Sequence, residues 1–373
     1  MQDKEYSSPP SAPAPARLRA SAGIRIPPLP RQDLDHILSH THRLWENLRG
    51  NSILITGGTG FVGTWLLESL LCAAGRLDLD VSVVVLTRDP SRFCERSPHI
   101  AGHPAIRLLH GNAAAFDFPE GRFPWVIHAA TERAFEPDAG HPLGTFDPDV
   151  NGTRNVLEFA RSHGARRFLF TSSGAVYGKQ PPELAKMPEE YGGAPSALDA
   201  GSAYGEAKRV SEFMCARYGS VYGFDALIAR LFAFSGPHLP LDANFAIGNF
   251  IRDLIEGGPV RIAGDGTPFR SYLYAADLAI WLWTILFTGR PARPYNVGSP
   301  QPLTIAELAR MAIRATVPRT GIEIAAPADP GALPPRYVPC TKRAEEELGL
   351  RPWISVEEGI RRMFAWCRET DTP

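Results

Sequence analysis

The stretch Ile53-Leu-Ile-Thr-Gly-Gly-Thr-Gly-Phe-Val-Gly63 constrains this chain more than any other. Ile53, Leu54 and Ile55 read as a short buried strand. A turn carrying Gly57, Gly60 and Gly63 follows, and Phe61, Val62, Trp65, Leu66 and Leu70 then recur at helical spacing. Strand, glycine turn and helix in this order are the context in which a glycine fingerprint means dinucleotide. Glycine is required where a Cβ would block the pyrophosphate or the packing of helix on strand. The free N–H groups of the helix start then hold the anion.

From residue 51 to about 172 strand and helix alternate. Val81–Leu86 is an apolar, β-branched run broken only by Ser82, as in a parallel strand buried on both faces. Ile106–Leu109, Trp125–Ala130 and Arg167–Thr171 are further strands, and 150–162 is a helix. The expected fold is α/β: a Rossmann-type doubly wound parallel sheet with a smaller C-terminal substrate-binding domain. The expected organisation is a Pro/Ala-rich disordered tail at 1–30 and an N-terminal helix within 31–50. A cofactor-binding core follows at 51–234, and a mainly substrate-binding part at 235–373 to which some core elements return. The helix near 33–48 has an apolar stripe, Leu34, Ile37, Leu38, Leu44, Trp45 and Leu48, and packs on the core, contacts a second copy or covers a site. Residues 178–201 read as a long surface loop, 202–219 as a helix and 225–231 as a strand.

Composition narrows the class. A net charge of −1 over 373 residues argues against a nucleic-acid surface or a polybasic membrane patch. No run reaches the roughly 18 apolar residues of a membrane span, and Leu278–Phe287 reads as a buried helix. Residues 1–30 lack the apolar core of a secretory signal. The five cysteines, without Cys-x-x-Cys, read as buried free thiols, and no metal site is read. The expected location is cytoplasmic.

Tyr204-Gly-Glu-Ala-Lys208 places a phenol and an ammonium at i and i+4 on one helix face, after the strand end Phe170-Thr-Ser-Ser173. Lys208 is expected to lower the Tyr204 pKa toward neutrality. Tyr204 would then exchange a proton with a sugar hydroxyl or ketone while hydride moves to or from a nicotinamide, with Ser173 bonded to the same oxygen.

With these residues in order the chain resembles the extended short-chain dehydrogenase/reductase family, in the branch of nucleotide-sugar epimerases and dehydratases. The resemblance spans about 51 to 367. It rests on Thr56-Gly-Gly-Thr-Gly-Phe-Val-Gly63, His128-Ala-Ala130, Asn151-Gly-Thr153, Thr171-Ser-Ser-Gly-Ala-Val-Tyr-Gly178, Tyr204-x-x-x-Lys208, Arg230 to Pro237, Gly264-Asp-Gly-x-x-x-Arg270, Tyr295-Asn-Val-Gly298 and Arg336. It implies cofactor contacts at Gly57, Gly60, Phe61, Val62, Gly63, Ala129, Ala130, Tyr204 and Lys208. It implies that Asn151 orders the active-site helix. It also implies a nucleoside-diphosphate sugar held by Arg270, Arg336 and Asn249, and a homodimer built on a helix bundle, an interface that the helix 202–219 could also line. The guanidinium fork suits a diphosphate.

Several positions depart from the family pattern. Ala233 stands where many relatives have Asn. Gly174 and Ala175 follow Ser173, where dehydratases place Asp-Glu and decarboxylases keep a Glu. Neither residue transfers protons, so a 4-epimerase or 4-ketoreductase acting at C4 is the leading expectation. A dehydratase or decarboxylase with an atypical acid or base, for which Glu132 is the nearest candidate, is the alternative. A non-catalytic NAD(P)-binding sensor or scaffold is the third reading. Thr87 and Arg88 suit a 2′-phosphate and favour NADP, whereas internal recycling of the cofactor suits NAD, so the expected cofactor is NAD(P). Asn112 stands where relatives use Asp to contact adenine.

Overall fold

The computed structural model describes residues 25–131, 141, 143–243 and 245–370. Seven parallel strands form the central sheet: β1 (Ser52–Thr56), β2 (Ser82–Thr87), β3 (Ile106–His110), β4 (Trp125–His128), β5 (Arg167–Ser173), β6 (Asp225–Leu231) and β7 (Pro294–Val297). Their spatial order is 3-2-1-4-5-6-7, the Rossmann order extended by one strand. The continuous apolar runs are explained by the pleat, because alternate side chains enter different cores. Ile53, Ile55, Val83, Val85, Ile127 and Leu169 face one core. Leu54, Val84, Val126, Phe168 and Phe170 face the other.

Eight principal helices complete the fold: α1 (Arg31–Thr41), α2 (Phe61–Leu77), α3 (Phe146–Ser162), α4 (Ala203–Tyr222), α5 (Ala246–Ile255), α6 (Ala275–Thr288), α7 (Ile305–Thr316) and α8 (Val356–Thr370). α2 and α6 cover the first sheet face; α3 and α4 contribute to the core on the second. α3 starts four residues before its expected start. Pro148 sits in its first turn, where no intrahelical N–H is required, with Asp147 and Asp149 at the positive end of the helix. α4 runs on to Tyr222 and ends at Gly223, whose φ of +77° a side chain would resist. α6 is buried along almost its whole length, and among the described residues no helix is long and apolar enough to cross a membrane.

The third core lies among α5, α7 and α8, where Phe250, Ile251, Leu308, Ile360 and Met363 are buried together. Beside it stands a small ladder in which Phe269–Arg270 lies between Leu303–Thr304 and Arg336–Tyr337. The expected loop 178–201 is irregular up to a short turn at Ala200–Ser202. It is nevertheless pinned, with Met187 buried and its N–H donating to the Val338 carbonyl at 2.8 Å.

Two expectations at the N-terminus and among the thiols change. Most of the tail at 1–30 lies outside the described residues, but 25–30 is held on the core. The Ile26 N–H donates to the Arg96 carbonyl, and Leu29, itself buried, donates its N–H to the Glu68 carboxylate at 2.8 Å. The N-terminal helix divides into α1 and a 3₁₀ segment at His42–Leu48, and Ile37, Trp45 and Leu48 pack into the first core. Of the cysteines only Cys215 and Cys367 are buried; Cys94 is exposed, and Cys72 and Cys340 are half-buried.

Candidate active site

The glycine turn after β1 is shaped by close approaches. Gly57 has φ +71°, and a Cβ there would stand 2.5 Å from the Ala129 carbonyl and the Ala130 nitrogen. A Cβ on Gly63 would lie 2.2 Å from the Gly57 oxygen, so α2 can lean on the turn only without one. Gly60 differs. Its Cβ would make only an ordinary 3.5 Å contact within the protein, and it caps α2 with no side chain bonded to the open N–H groups. Protein packing therefore does not require glycine at 60, whereas an anion laid across the helix start does. The residues present thus fit a dinucleotide pyrophosphate.

Ala129 and Ala130 border the same cradle. Their N–H groups donate to the carbonyl and the hydroxyl of Thr56. His128 lies beneath, its ring nitrogens 2.7 Å from the Thr56 hydroxyl and 3.1 Å from the Thr153 hydroxyl. Burial, helped by the charge on Lys208, holds its pKa down at about 3, so the imidazole is neutral. At the end of β2, Thr87 is buried and its hydroxyl accepts the Asp89 N–H, while Arg88 is exposed. Asp89 caps the next helix through the Arg92 N–H. Asn112 is exposed, and its side-chain oxygen accepts the Ala114 N–H at 2.9 Å.

Ser173, Tyr204 and Lys208 come together where β5 ends and α4 begins. Ser173 is buried, and its hydroxyl accepts the Ala175 N–H at 3.1 Å. A Cβ on Gly205 would meet the Ala175 carbonyl at 2.8 Å, so a glycine beside Tyr204 lets α4 press against the turn after Ser173. Lys208 is buried, with Nζ 5.7 Å from the centre of the Tyr204 ring and 5.0 Å from that of Phe170.

The expected effect of Lys208 on Tyr204 is overturned. The phenol is pushed up to about 12, mainly by burial and further by the Asp149 carboxylate, against an opposing pull from Ser173. Lys208 is itself held below its ordinary value by burial, with Asp149 working the other way. The main reason is burial; the Asp149 carboxylate, 3.6 Å from Lys208 Nζ, adds to it.

Asp149 was missed in the sequence. Asn151, expected to order the active-site helix, is exposed. The buried stripe of α3 carries Asp149, Thr153, Val156 and Ala160, at helical spacing. That periodicity was the available signal.

Tyr337 was missed as well. A Cβ on Gly174 would strike its hydroxyl at 2.7 Å and the Phe232 ring at 2.8 Å. The Ser173 hydroxyl bears on the phenols of both Tyr204 and Tyr337, and in each case favours the phenolate. Burial dominates at Tyr337 and raises its pKa. Its only sequence mark is its place after Arg336.

Arg270 and Arg336 stand on neighbouring strands of the small ladder, one register position apart. Arg270 donates to the Phe269 carbonyl at 2.9 Å, and the Arg336 guanidinium stacks 4.1 Å from the centre of the Phe269 ring. With its amide assigned by its acceptors, Asn249 donates to the carbonyls of Leu241 (2.9 Å) and Ala243 (3.1 Å), a loop-holding arrangement. Glu132 lies outside the described residues.

Known proteins resemble the chain over most of its length. The sequence pattern described as the NAD dependent epimerase/dehydratase family matches residues 53–298. UDP-glucuronic acid decarboxylase 1 of Arabidopsis thaliana is 32% identical over 84% of this chain and 69% of the relative. An epimerase structure from Methanothermobacter thermautotrophicus superposes with a TM-score of 0.73 at 24% identity, over 89% of this chain and 96% of that one. A dTDP-glucose 4,6-dehydratase from Streptomyces venezuelae, solved with NAD bound, gives 0.70 at 25% identity, over 85% and 97%.

Proposed function

The chain belongs to the NAD dependent epimerase/dehydratase family, and we propose that within it this enzyme exchanges hydride and a proton at C4 of a nucleoside-diphosphate sugar, as a 4-epimerase or a 4-ketoreductase. The observation that carries this reading is the surroundings of Ser173. Gly174 and Ala175 follow it, and Tyr337 and Phe232 fill the space over Gly174, so no carboxyl group arises from the two positions after the serine. Elimination of water has no acid–base pair there, whereas proton exchange at C4 requires only what is present.

In this reading Tyr204 gives a proton to, or takes one from, the C4 oxygen, and Ser173 holds that oxygen by a hydrogen bond. Lys208 orders the site from beneath. When bound, a nicotinamide supplies and accepts the hydride. Arg270 and Arg336 provide cations for the diphosphate. Exposed Arg88 supports a 2′-phosphate, and the NAD bound by the dehydratase supports NAD; the cofactor is read as NAD(P). α4 also exposes Phe213, Val221 and Tyr222, which supports a homodimer formed on it.

A second reading, decarboxylation of a nucleoside-diphosphate uronic acid, is favoured by the decarboxylase relative. A C5 carboxylate β to a C4 ketone leaves as CO2 without a general base, and the resulting C5 enolate then requires a proton. Tyr337, kept protonated by burial, is positioned in the site to supply one.

Denaturing the purified protein and identifying the released nucleotide comes first, followed by incubation with UDP-glucose, UDP-galactose and UDP-glucuronic acid and product analysis by mass and NMR. A C4 isomer at unchanged mass supports the 4-epimerase. An empty site that fills with NADPH and reduces a 4-ketosugar supports the reductase. Loss of CO2 from UDP-glucuronic acid establishes the second reading in place of the first.

A further inference from the structure

We propose that Arg230 is a positioning residue that holds two sides of the candidate site in register: the proton-transfer side with Ser173 and Tyr204, and the side with Arg336 and Tyr337. The proposal deepens the C4 reading and rests on it for what Arg336 holds.

Arg230 lies on β6, and its guanidinium is bonded in two directions. Towards α4, Nε and Nη2 donate to the two oxygens of the Glu212 carboxylate at 2.9 and 2.6 Å. Glu212 Oε1 also accepts the Ser172 hydroxyl at 2.5 Å. Ser172 immediately precedes Ser173 on β5, and Glu212 stands one helical turn beyond Lys208 on the buried face of α4. This arm fixes how α4, with Tyr204 and Lys208, seats against the end of β5.

The other arm starts at Nη1, which donates to the Tyr177 hydroxyl at 2.8 Å, in the 3₁₀ turn Gly174–Tyr177 that follows Ser173. That hydroxyl donates to Asn296 Oδ1 on β7 at 2.7 Å. Asn296 Nδ2 then donates to the carbonyls of Met187 (2.8 Å) and Cys340 (3.1 Å). The Met187 N–H donates to the Val338 carbonyl, and the Met187 carbonyl accepts the Cys340 N–H, both at 2.8 Å. Val338 directly follows Arg336 and Tyr337. Tyr177 and Asn296 are buried, and donor meets acceptor at each step from Nη1 to Cys340.

A satisfied buried network holds its members in one arrangement. Hydride and proton transfer tolerate little error, since a misplacement of about 1 Å can cost about 10²-fold in rate. One guanidinium bonded to both arms therefore sets the distance between Tyr204 and a sugar whose diphosphate rests on Arg336. None of these bonds involves the glycine turn after β1 or Ala129–Ala130, so the cofactor cradle is independent of them.

The test measures kcat, KM and NAD(P) affinity in the full chain, using the nucleotide sugar that the native protein turns over. The native protein is compared with Tyr177→Phe, Arg230→Lys and Arg230→Ala, with circular dichroism confirming the fold. Tyr177→Phe removes one hydroxyl and keeps the packing of the ring. It is expected to raise KM by about tenfold, the effect of one lost buried hydrogen bond, with NAD(P) affinity unchanged. Arg230→Ala is expected to lower kcat as well, by about 10²-fold. Millimolar guanidinium is expected to restore part of that loss through the cleft that Arg230 lines with Phe213, Ile228 and Pro294. Arg230→Lys keeps the charge but loses the fork, and should lie between native and Arg230→Ala. A folded Tyr177→Phe variant with native kcat and KM overturns the proposal, whether or not the Arg230 variants fold. So does one whose NAD(P) affinity falls as far as its substrate affinity, the mark of general loosening. If the native protein turns over no nucleotide sugar, the C4 reading falls and UDP becomes the probe. Weaker UDP binding in Tyr177→Phe with NAD(P) affinity retained then supports the role of Arg230, and unchanged UDP binding, or none in the native protein, overturns it.

Discussion

Asp33 and Asp149 are both buried aspartates facing a cation, one at the N-terminal dock and one in the candidate active site. At the dock each carboxylate oxygen has a close partner: Oδ2 accepts the Tyr274 hydroxyl at 2.7 Å, and Oδ1 accepts Arg362 at 2.7 Å. Arg362 is also braced by Glu358 at 2.8 Å. In the active site the cation is held loosely: Lys208 stands 3.6 Å from Asp149, and its contact with the Thr171 carbonyl is 3.4 Å. A fully bonded buried pair fixes elements against each other, here α1 against α8 and against Tyr274 at the start of α6. The same residue chemistry thus anchors the N-terminal helix in one place and faces the lysine of the candidate site in the other.

The largest expected effect sits at the looser site. Tyr204→Phe should lower turnover by about 10²–10⁴-fold while leaving the thermal midpoint almost unchanged. Turnover that survives the change would remove the catalytic half of the comparison. Asp33→Ala should do the reverse. It strands Arg362 and the Tyr274 hydroxyl, which should cost about 3–5 kcal/mol of stability, read by urea denaturation, with turnover per folded molecule retained. A small loss of stability would show that the dock is no more structural than the active-site pair.

Acid sharpens the contrast further. His128 is held at about 3, below its ordinary value, so the unfolded chain binds a proton there that the native chain refuses. Its contribution to stability is present above about pH 6.5 and is lost as pH falls toward 3, at up to about 1.4 kcal/mol per pH unit. His128→Asn should flatten that part of the curve in denaturation series run from pH 7 to pH 4. An unchanged slope would assign the acid sensitivity elsewhere, for instance to His238, which is also held at about 3 by burial.

Much of this site is legible in the chain because its parts are local. Gly57 and Gly63 mark a turn whose geometry forbids side chains, and the alternation of apolar strands with helices specifies a doubly wound sheet. Tyr204 and Lys208 lie one helical turn apart and face the end of β5 as their spacing requires. Thr87 and Asn112 read as free cofactor contacts, yet both spend side-chain oxygens on their own loops, a competition that local polar side chains often enter.

The sequence by itself determined the order of strands and helices, the glycine turn and the Ser173, Tyr204 and Lys208 set, because each depends on periodicity or short-range sterics. Only the tertiary structure decided which acid faces Lys208 and what covers Gly174. The facing of α3 depends on how it packs on the sheet, and packing selected Asp149 over Asn151. Tyr337 arrives from a strand 163 residues beyond Gly174, a juxtaposition set by the pairing of Arg336–Tyr337 with Phe269–Arg270. The protonation state of Tyr204 belongs to the same category, since burial and a neighbouring carboxylate exist only once the chain has folded.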